Sequence, residues 1–384
     1  MVDARARRAL LALCGHRSPE AQGLSPDEWD AIGRLSDALQ LGSYLHWRET
    51  QGEIDGVPDR LSEEWTRAYR ANGVRILAQR RALIQAIAAL GDEGIGAVAL
   101  KGSALAWTIY PAPAARAMRD IDLLVQEGDA PRAYETLLAA GWNGPRMPRE
   151  ALTKFSKQEA HLPPLTSPER IACELHSHVW LKPPLPGASM PRADDASLLG
   201  NARYHEGLGA AVPSREDMLT HLVVHAVCSH LLNVGPMALI DVDLLCAKRP
   251  IDWTAFWERA RRDQFDRPAA LLFALIDRWR RPGFSEQAAS PHTIAAELLD
   301  EAELLLVQPP ETRKDVSAIA SLRGGRPGGR LRQHPLDRAE RGVDAGTRTV
   351  EIGKRAGSLV RSLFERRTRR DGLATARLQR WIEG

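Results

Sequence analysis

Along EEWTRAYRANGVRILAQRRALIQAIAAL, residues 63 to 90, apolar positions recur every three or four residues, and that period predicts an amphipathic helix closed by Gly91. An earlier helix start is predicted at Ser25-Pro26-Asp27-Glu28, where Ser caps and Pro takes the first helical position. Residues 1–90 therefore read as an N-terminal helical region. The period then changes. Val98, Ala99 and Leu100 form a short buried-strand candidate that stops at Gly102, and SALAWTIYP reads as a short helix closed before Pro111. IDLLV predicts a second strand, and Asp129 to Ala140 a helix ended by Gly141. KQEAHLPPLTSPERIACELHSHVWL reads as a hairpin, with a turn at Ser167-Pro168-Glu169 and a return strand from Ile171 to Val179.

From Ser214 the helical period returns, through EDMLTHLVVHAVCSHLL, ALIDVDLLCAKR and DWTAFWERARR to AALLFALIDRWRR. The sum is an α+β chain: a small mixed β-sheet over 91–200, N-terminal helices before it and a C-terminal helical domain over 201–320. SLRGGRPGGRLRQHP, 321 to 335, reads as a flexible linker, which with a basic helical tail makes up 321–384. Trp253, Trp257 and Trp279 fall at helical spacing among apolar neighbours and read as core. The Arg pairs at 80–81, 261–262 and 280–281 read as solvated helix faces.

The 384 residues suffice for two domains, or for one catalytic unit with a helical extension. The 52 basic and 49 acidic residues nearly cancel, which argues against nucleic-acid binding by bulk charge. The basic excess from Arg323 to Arg380 places any such role in the C-terminal tail. Four cysteines without a CxxC pair read as reduced core thiols. No run approaches the roughly 18 apolar residues of a membrane span, and the N-terminus lacks a secretory apolar region, so no membrane association and a cytoplasmic protein are expected.

Two carboxylates change this picture. On a strand, Asp120 and Asp122 point to one face, about 7 Å apart along the chain. Such a pair repels itself unless it shares a proton or holds cations, and two Mg²⁺ ions about 3.5 to 4 Å apart, as in phosphoryl transfer, would satisfy it. Spacing alone says little: Asp241 and Asp243 share it, but on a predicted helix, where residues two apart diverge. Three features accompany the first pair. Lys101-Gly102-Ser103 sits at a strand-to-helix turn, where Gly permits close approach and free N–H groups attract phosphate, although an ordinary capped turn has the same composition. Arg116 and Arg119 could offer guanidinium forks to triphosphate oxygens, or pair with surface acids. Glu174, His176 and His178 alternate with Cys173, Leu175 and Ser177, so Glu174 either completes a three-carboxylate metal site or faces solvent.

His221, His225 and His230 invite a metal reading, but Leu222 stands where the zinc-protease pattern requires Glu. They read as packed or cleft-lining imidazoles. GxxxxGK[ST], GxGxxG and GxSxG are all absent.

LKGSALAWTIYP, RAMRDIDLLV and CELHSHVW, in that order, resemble the uncharacterised nucleotidyltransferase family of bacteria, within the polymerase-beta-like nucleotidyltransferase superfamily. The likeness spans roughly residues 70 to 265 and continues through HLVVHAV and LIDVDLLCAKRPIDWTAFWERAR. It implies a nucleotidyltransferase core at 91–200 and a Mg²⁺-dependent enzyme that moves a nucleoside monophosphate from an NTP to an acceptor, releasing pyrophosphate. The acceptor could be a small molecule, a protein or RNA. The resemblance makes Asp120, Asp122 and Glu174 both catalytic and metal-binding. It makes Lys101, Gly102, Ser103, Arg116 and Arg119 nucleotide-binding. Two departures stand out: Lys precedes the Gly-Ser, and Ser103 lies seventeen positions before Asp120, a longer gap than the superfamily's usual one. The alternative is a binding or regulatory module on the same fold without chemistry. A third reading is nucleic-acid binding through the basic tail.

Overall fold

Helix starts and stops follow the local chemistry of the chain. A computed structural model describes residues 2–16, 21–179, 195–309, 313 and 366–383. The expected linker at 321–335 lies outside them. The N-terminal helices are α1 (Val2–Leu13), α2 (Pro26–Ala38), α3 (Gly42–Thr50) and α4 (Asp59–Asp92). Ser25 caps α2 in a reciprocal box: its hydroxyl accepts the Glu28 N–H, and the Glu28 carboxylate accepts the Ser25 N–H at 2.8 Å. Glu28 also receives Arg5 of α1 at 2.9 Å. Ser25→Ala is expected to cost about 1 kcal/mol in urea unfolding. A cost well above 2 kcal/mol would mean that the cap also anchors α1.

At 34 residues, α4 runs for roughly 50 Å. Its apolar side (Leu61, Trp65, Ile76, Leu83, Leu90) is buried. Three polar residues on the same helix reach the backbone of a distant loop. Asn72 donates to Ala114 O at 2.7 Å, Gln79 to Met118 O at 3.0 Å and Arg75 to Arg119 O at 2.9 Å. The loop entering the Asp-x-Asp strand is thus pinned to the helix.

The middle of the chain alternates β1 (Ala97–Ala99), α5 (Lys101–Thr108), β2 (Asp120–Val125), α6 (Ala130–Ala139), α7 (Arg149–Gln158), β3 (Leu165–Thr166), β4 (Ala172–His176), α8 (Asp195–Gly200), β5 (Arg203–His205) and β6 (Ala210–Val212). The six strands form one mixed sheet, ordered β3-β4-β2-β1-β6-β5. β2 runs parallel to β4 and β1 parallel to β6, while the other neighbours are antiparallel. The α+β expectation therefore holds, with helices before and after the sheet. The sequence reading lacks α7 and the β5–β6 hairpin, because three-residue strands carry too few positions to show alternation. The return strand is shorter than the expected 171–179. Ser177 and His178 both donate their N–H to Ala160 O, at 3.0 Å each, so the ladder breaks after His176.

The chain returns to helices with α9 (Arg215–Val223), which runs into a π-helical turn at Val224–Ser229. α10 (Met237–Lys248), α11 (Trp253–Arg262), α12 (Asp266–Trp279), α13 (Phe284–Gln287), α14 (Ala296–Leu306) and α15 (Arg366–Glu383) follow. Trp253 meets Phe256, Phe273 and Phe284 edge-on, and Trp257 and Trp279 are buried, so these tryptophans are core. The 280–281 pair is not a solvated face. Asp243 is buried on α10 and needs counter-charge, which Arg280 supplies at 2.8 Å and Arg281 at 2.5 Å. Arg280 also donates to Tyr44 at 3.0 Å and to the Cys14 carbonyl, tying the end of α12 to the N-terminal helices. In the basic tail, Arg377 of α15 is paired with Glu301 of α14. No helix among the described residues is long and apolar enough to cross a membrane.

Candidate active site

Parallel pairing of β2 with β4 sets Asp122 opposite Glu174, Asp120 opposite Ala172 and Leu124 opposite His176. Strand alternation then places Asp120, Asp122, Glu174 and His176 on one face. Ile121, Leu123, Cys173 and Leu175 take the other and are fully buried. Apolar packing on that second face fixes the register, since a slip by one residue would put Asp122 into the core. Asp122, Glu174 and His176 each offer one ligand atom, and all three atoms lie within 4.8 Å of one another.

The turn from β1 into α5 is bound to the same residue. Leu100 N–H donates to Asp122 O at 3.0 Å, and Asp122 N–H donates to Ser103 Oγ at 2.9 Å. Between them Lys101 adopts φ 42°, the left-handed region that a side chain occupies only under constraint. Its ammonium donates to Asp122 Oδ1 at 2.7 Å. A Cβ on Gly102 would come within 3.2 Å of the Met118 side chain, so the glycine lets the pinned loop pack against α5. Ser103→Ala would leave a buried amide N–H without an acceptor and is expected to cost about 1 to 3 kcal/mol in denaturant unfolding. An unchanged midpoint would mean that the turn does not hold Asp122.

His176 Nε2 lies 3.0 Å from Asp122 Oδ1 and 3.5 Å from Glu174, and its ring meets that of His161 edge-on at 5.4 Å. Burial opposes every charge here, and the neighbours decide the outcome. At Asp120 burial and the charges of Asp122 and Glu174 act together and push the carboxyl up to about 6. At Asp122 burial is outweighed by Lys101 and the His176 hydrogen bond, which hold the carboxyl well below the ordinary range. Glu174 is held low mainly by its hydrogen bond to His176, against burial. Lys101 is raised because Asp122 and Glu174 more than offset burial.

A divalent cation fits this donor set. Two carboxylates and an imidazole converge, and an ammonium already stands against one carboxylate as a positive charge would. Asp120 shares the face and its electrostatics, while His176 is the donor that the expected three-carboxylate set omits. The signal for it was present, since His176 has the same parity as Glu174. His178 leaves the cluster at the break after β4 and contacts Asp195 at 2.7 Å and Glu127 at 3.3 Å.

The two arginines are not gathered with the carboxylates. Arg116 is part-buried in a two-pronged pair with the buried Asp241, at 2.9 and 2.8 Å, where Tyr110 also donates at 2.6 Å. Arg119 is exposed and donates to Gln40 at 3.1 Å. Asp241 and Asp243 do diverge on α10, one toward Arg116 and the other toward Arg280. The histidines of α9 and the π turn pack side by side, with ring centroids 5.8 Å apart for His221 and His225 and 4.4 Å for His225 and His230. Burial and the Lys101 charge push all three down, His230 to about 4, which favours neutral imidazoles there.

The family described as uncharacterised nucleotidyltransferase matches residues 25–281, about two-thirds of the chain. No curated protein and no solved structure matches.

Proposed function

The chain belongs to the uncharacterised nucleotidyltransferase family and is a nucleotidyltransferase, and from that premise we propose that it transfers a nucleoside monophosphate from an NTP to an acceptor, with Mg²⁺ and release of pyrophosphate. The observation that carries this reading is the side-by-side placement of Asp122 and Glu174 on parallel strands, with Lys101 against them. Asp120, Asp122 and Glu174 are the residues that would hold divalent cations. A cation there supplies charge neutralisation for the transferring phosphoryl group. The first N–H groups of α5, at Lys101, Gly102 and Ser103, have no intrahelical acceptor and donate to phosphate oxygens. Lys101 Nζ, held on Asp122 at 2.7 Å, would add positive charge beside the same oxygens. Ser103 Oγ and the Leu100 amide keep the Asp122 backbone in place while this happens. Arg119, exposed beside Gln40, would have to leave that contact to meet departing pyrophosphate, while Arg116, committed to Asp241, holds the loop in position. Glu174, ionised at neutral pH, accepts the proton of the acceptor hydroxyl.

Incubation with α-³²P-labelled NTPs, Mg²⁺ and lysate tests the reading, and fractionation identifies the acceptor as a small molecule, a protein or RNA. Absence of label transfer from all four NTPs overturns it. A second reading, nucleotide binding without chemistry, draws on the Lys101–Asp122 pair, which neutralises the carboxylate from within the chain. Calorimetry separates the two: ATP or GTP binding that ignores Mg²⁺ and survives Asp120→Asn supports the binding module.

A further inference from the structure

We propose that His176 is a ligand, together with Asp122 and Glu174, for a first-row transition-metal ion of the Mn²⁺ or Co²⁺ kind, held in preference to Mg²⁺. The inference deepens the nucleotidyl-transfer reading and rests on it for the ion's use, though not for its binding.

Three observations carry it. The donor set is mixed: two carboxylates and one imidazole have ligand atoms within 4.8 Å of one another. Mg²⁺ takes oxygen donors almost alone, whereas imidazole nitrogen suits the first-row transition ions and carboxylates accept Mn²⁺ readily. His176 is also 5% exposed, and among the described residues its Nδ1 has no hydrogen-bond partner. The nitrogen turned to the carboxylates is Nε2, 3.0 Å from Asp122 and 3.5 Å from Glu174, as neighbouring ligand atoms around one ion would stand. Finally, Lys101 Nζ stands 2.7 Å from Asp122 Oδ1, where it shows that the pocket favours positive charge. The pairing of β2 with β4 and the edge-on His161 ring hold the imidazole in this orientation.

The ion that accompanies the NTP phosphates remains Mg²⁺ in this scheme, and the histidine-bound ion is the second of the pair. Electron spin echo modulation on the full chain loaded with Mn²⁺ alone provides the test. Direct ¹⁴N coupling from one imidazole is expected, with Mn²⁺ displaced by Mg²⁺ only at large excess. His176→Gln should abolish the coupling and weaken Mn²⁺ at least about tenfold, while Mg²⁺ affinity by calorimetry changes little. His176→Asn serves if the glutamine variant misfolds, and the wild-type spectrum stands without either. Mn²⁺ bound at Asp122 with no ¹⁴N coupling overturns the proposal and leaves nucleotidyl transfer intact, as does a protein that takes up no Mn²⁺ yet transfers label with Mg²⁺. Absence of label transfer with every ion is instead a failure of the underlying reading, and the nitrogen coupling then stands or falls by itself.

Discussion

Asp122→Asn is expected to reduce label transfer from an NTP by about a thousandfold or more, since several kcal/mol of transition-state charge stabilisation correspond to at least that factor. The same residue pairs with Lys101 at 2.7 Å and His176 at 3.0 Å, so the substitution leaves a part-buried ammonium and a buried imidazole with Glu174 as their remaining carboxylate. Loss of one member of a buried ion pair commonly costs about 3 to 5 kcal/mol, and the retained amide oxygen should keep the penalty at or below the lower end. Circular dichroism and a thermal melt on the same sample separate lost chemistry from lost fold. A variant that transfers label at the wild-type rate would remove Asp122 from the mechanism, whatever its stability.

Asp241→Asn has the largest expected effect on stability. Its carboxylate takes both prongs of the Arg116 guanidinium, 125 residues away, and the Tyr110 hydroxyl, 131 residues away, all within 2.9 Å. Arg116 would be left part-buried with its charge uncompensated, at about 3 kcal/mol, the lower end for a buried pair. The double variant Arg116→Met with Asp241→Leu should recover a substantial part, because a buried pair is worth less against an apolar replacement than against its own half. Urea unfolding of Arg116→Met, Asp241→Leu and their double closes the cycle. Apparent KM for the NTP should rise in the singles as the loop carrying Arg119 loosens. A loss below 1 kcal/mol in Asp241→Asn would mean that the pair does not join the sheet to α10.

Local chemistry made much of this legible. The 3.6-residue period found α4, the Ser-Pro-Asp-Glu string found the start of α2, and alternation placed both Asp120 with Asp122 and Glu174 with His176 on shared faces. Alternation cannot say which strand lies beside which. That β4 pairs with β2, and in the register that opposes Asp122 to Glu174, follows from packing on the far face. The partners of Arg116 and Arg280 were hidden for a related reason. An arginine beside a Pro-Ala run or at a helix end looks solvated until a distant helix brings a buried aspartate to it. Ser103 and Gly102 were read as ligand contacts because a strand-to-helix turn attracts phosphate. Their side-chain positions also serve the chain itself, one holding an amide and the other admitting Met118.

Asn72, Arg75 and Gln79 reach from α4 to the carbonyls of Ala114, Arg119 and Met118. That contact makes the long helix the splint on which the Asp-x-Asp strand is set. A fragment beginning at residue 91 would keep every carboxylate of the cluster yet lose what holds the approach to it in place. Transplanting the sheet into another scaffold would therefore fail unless α4 travelled with it.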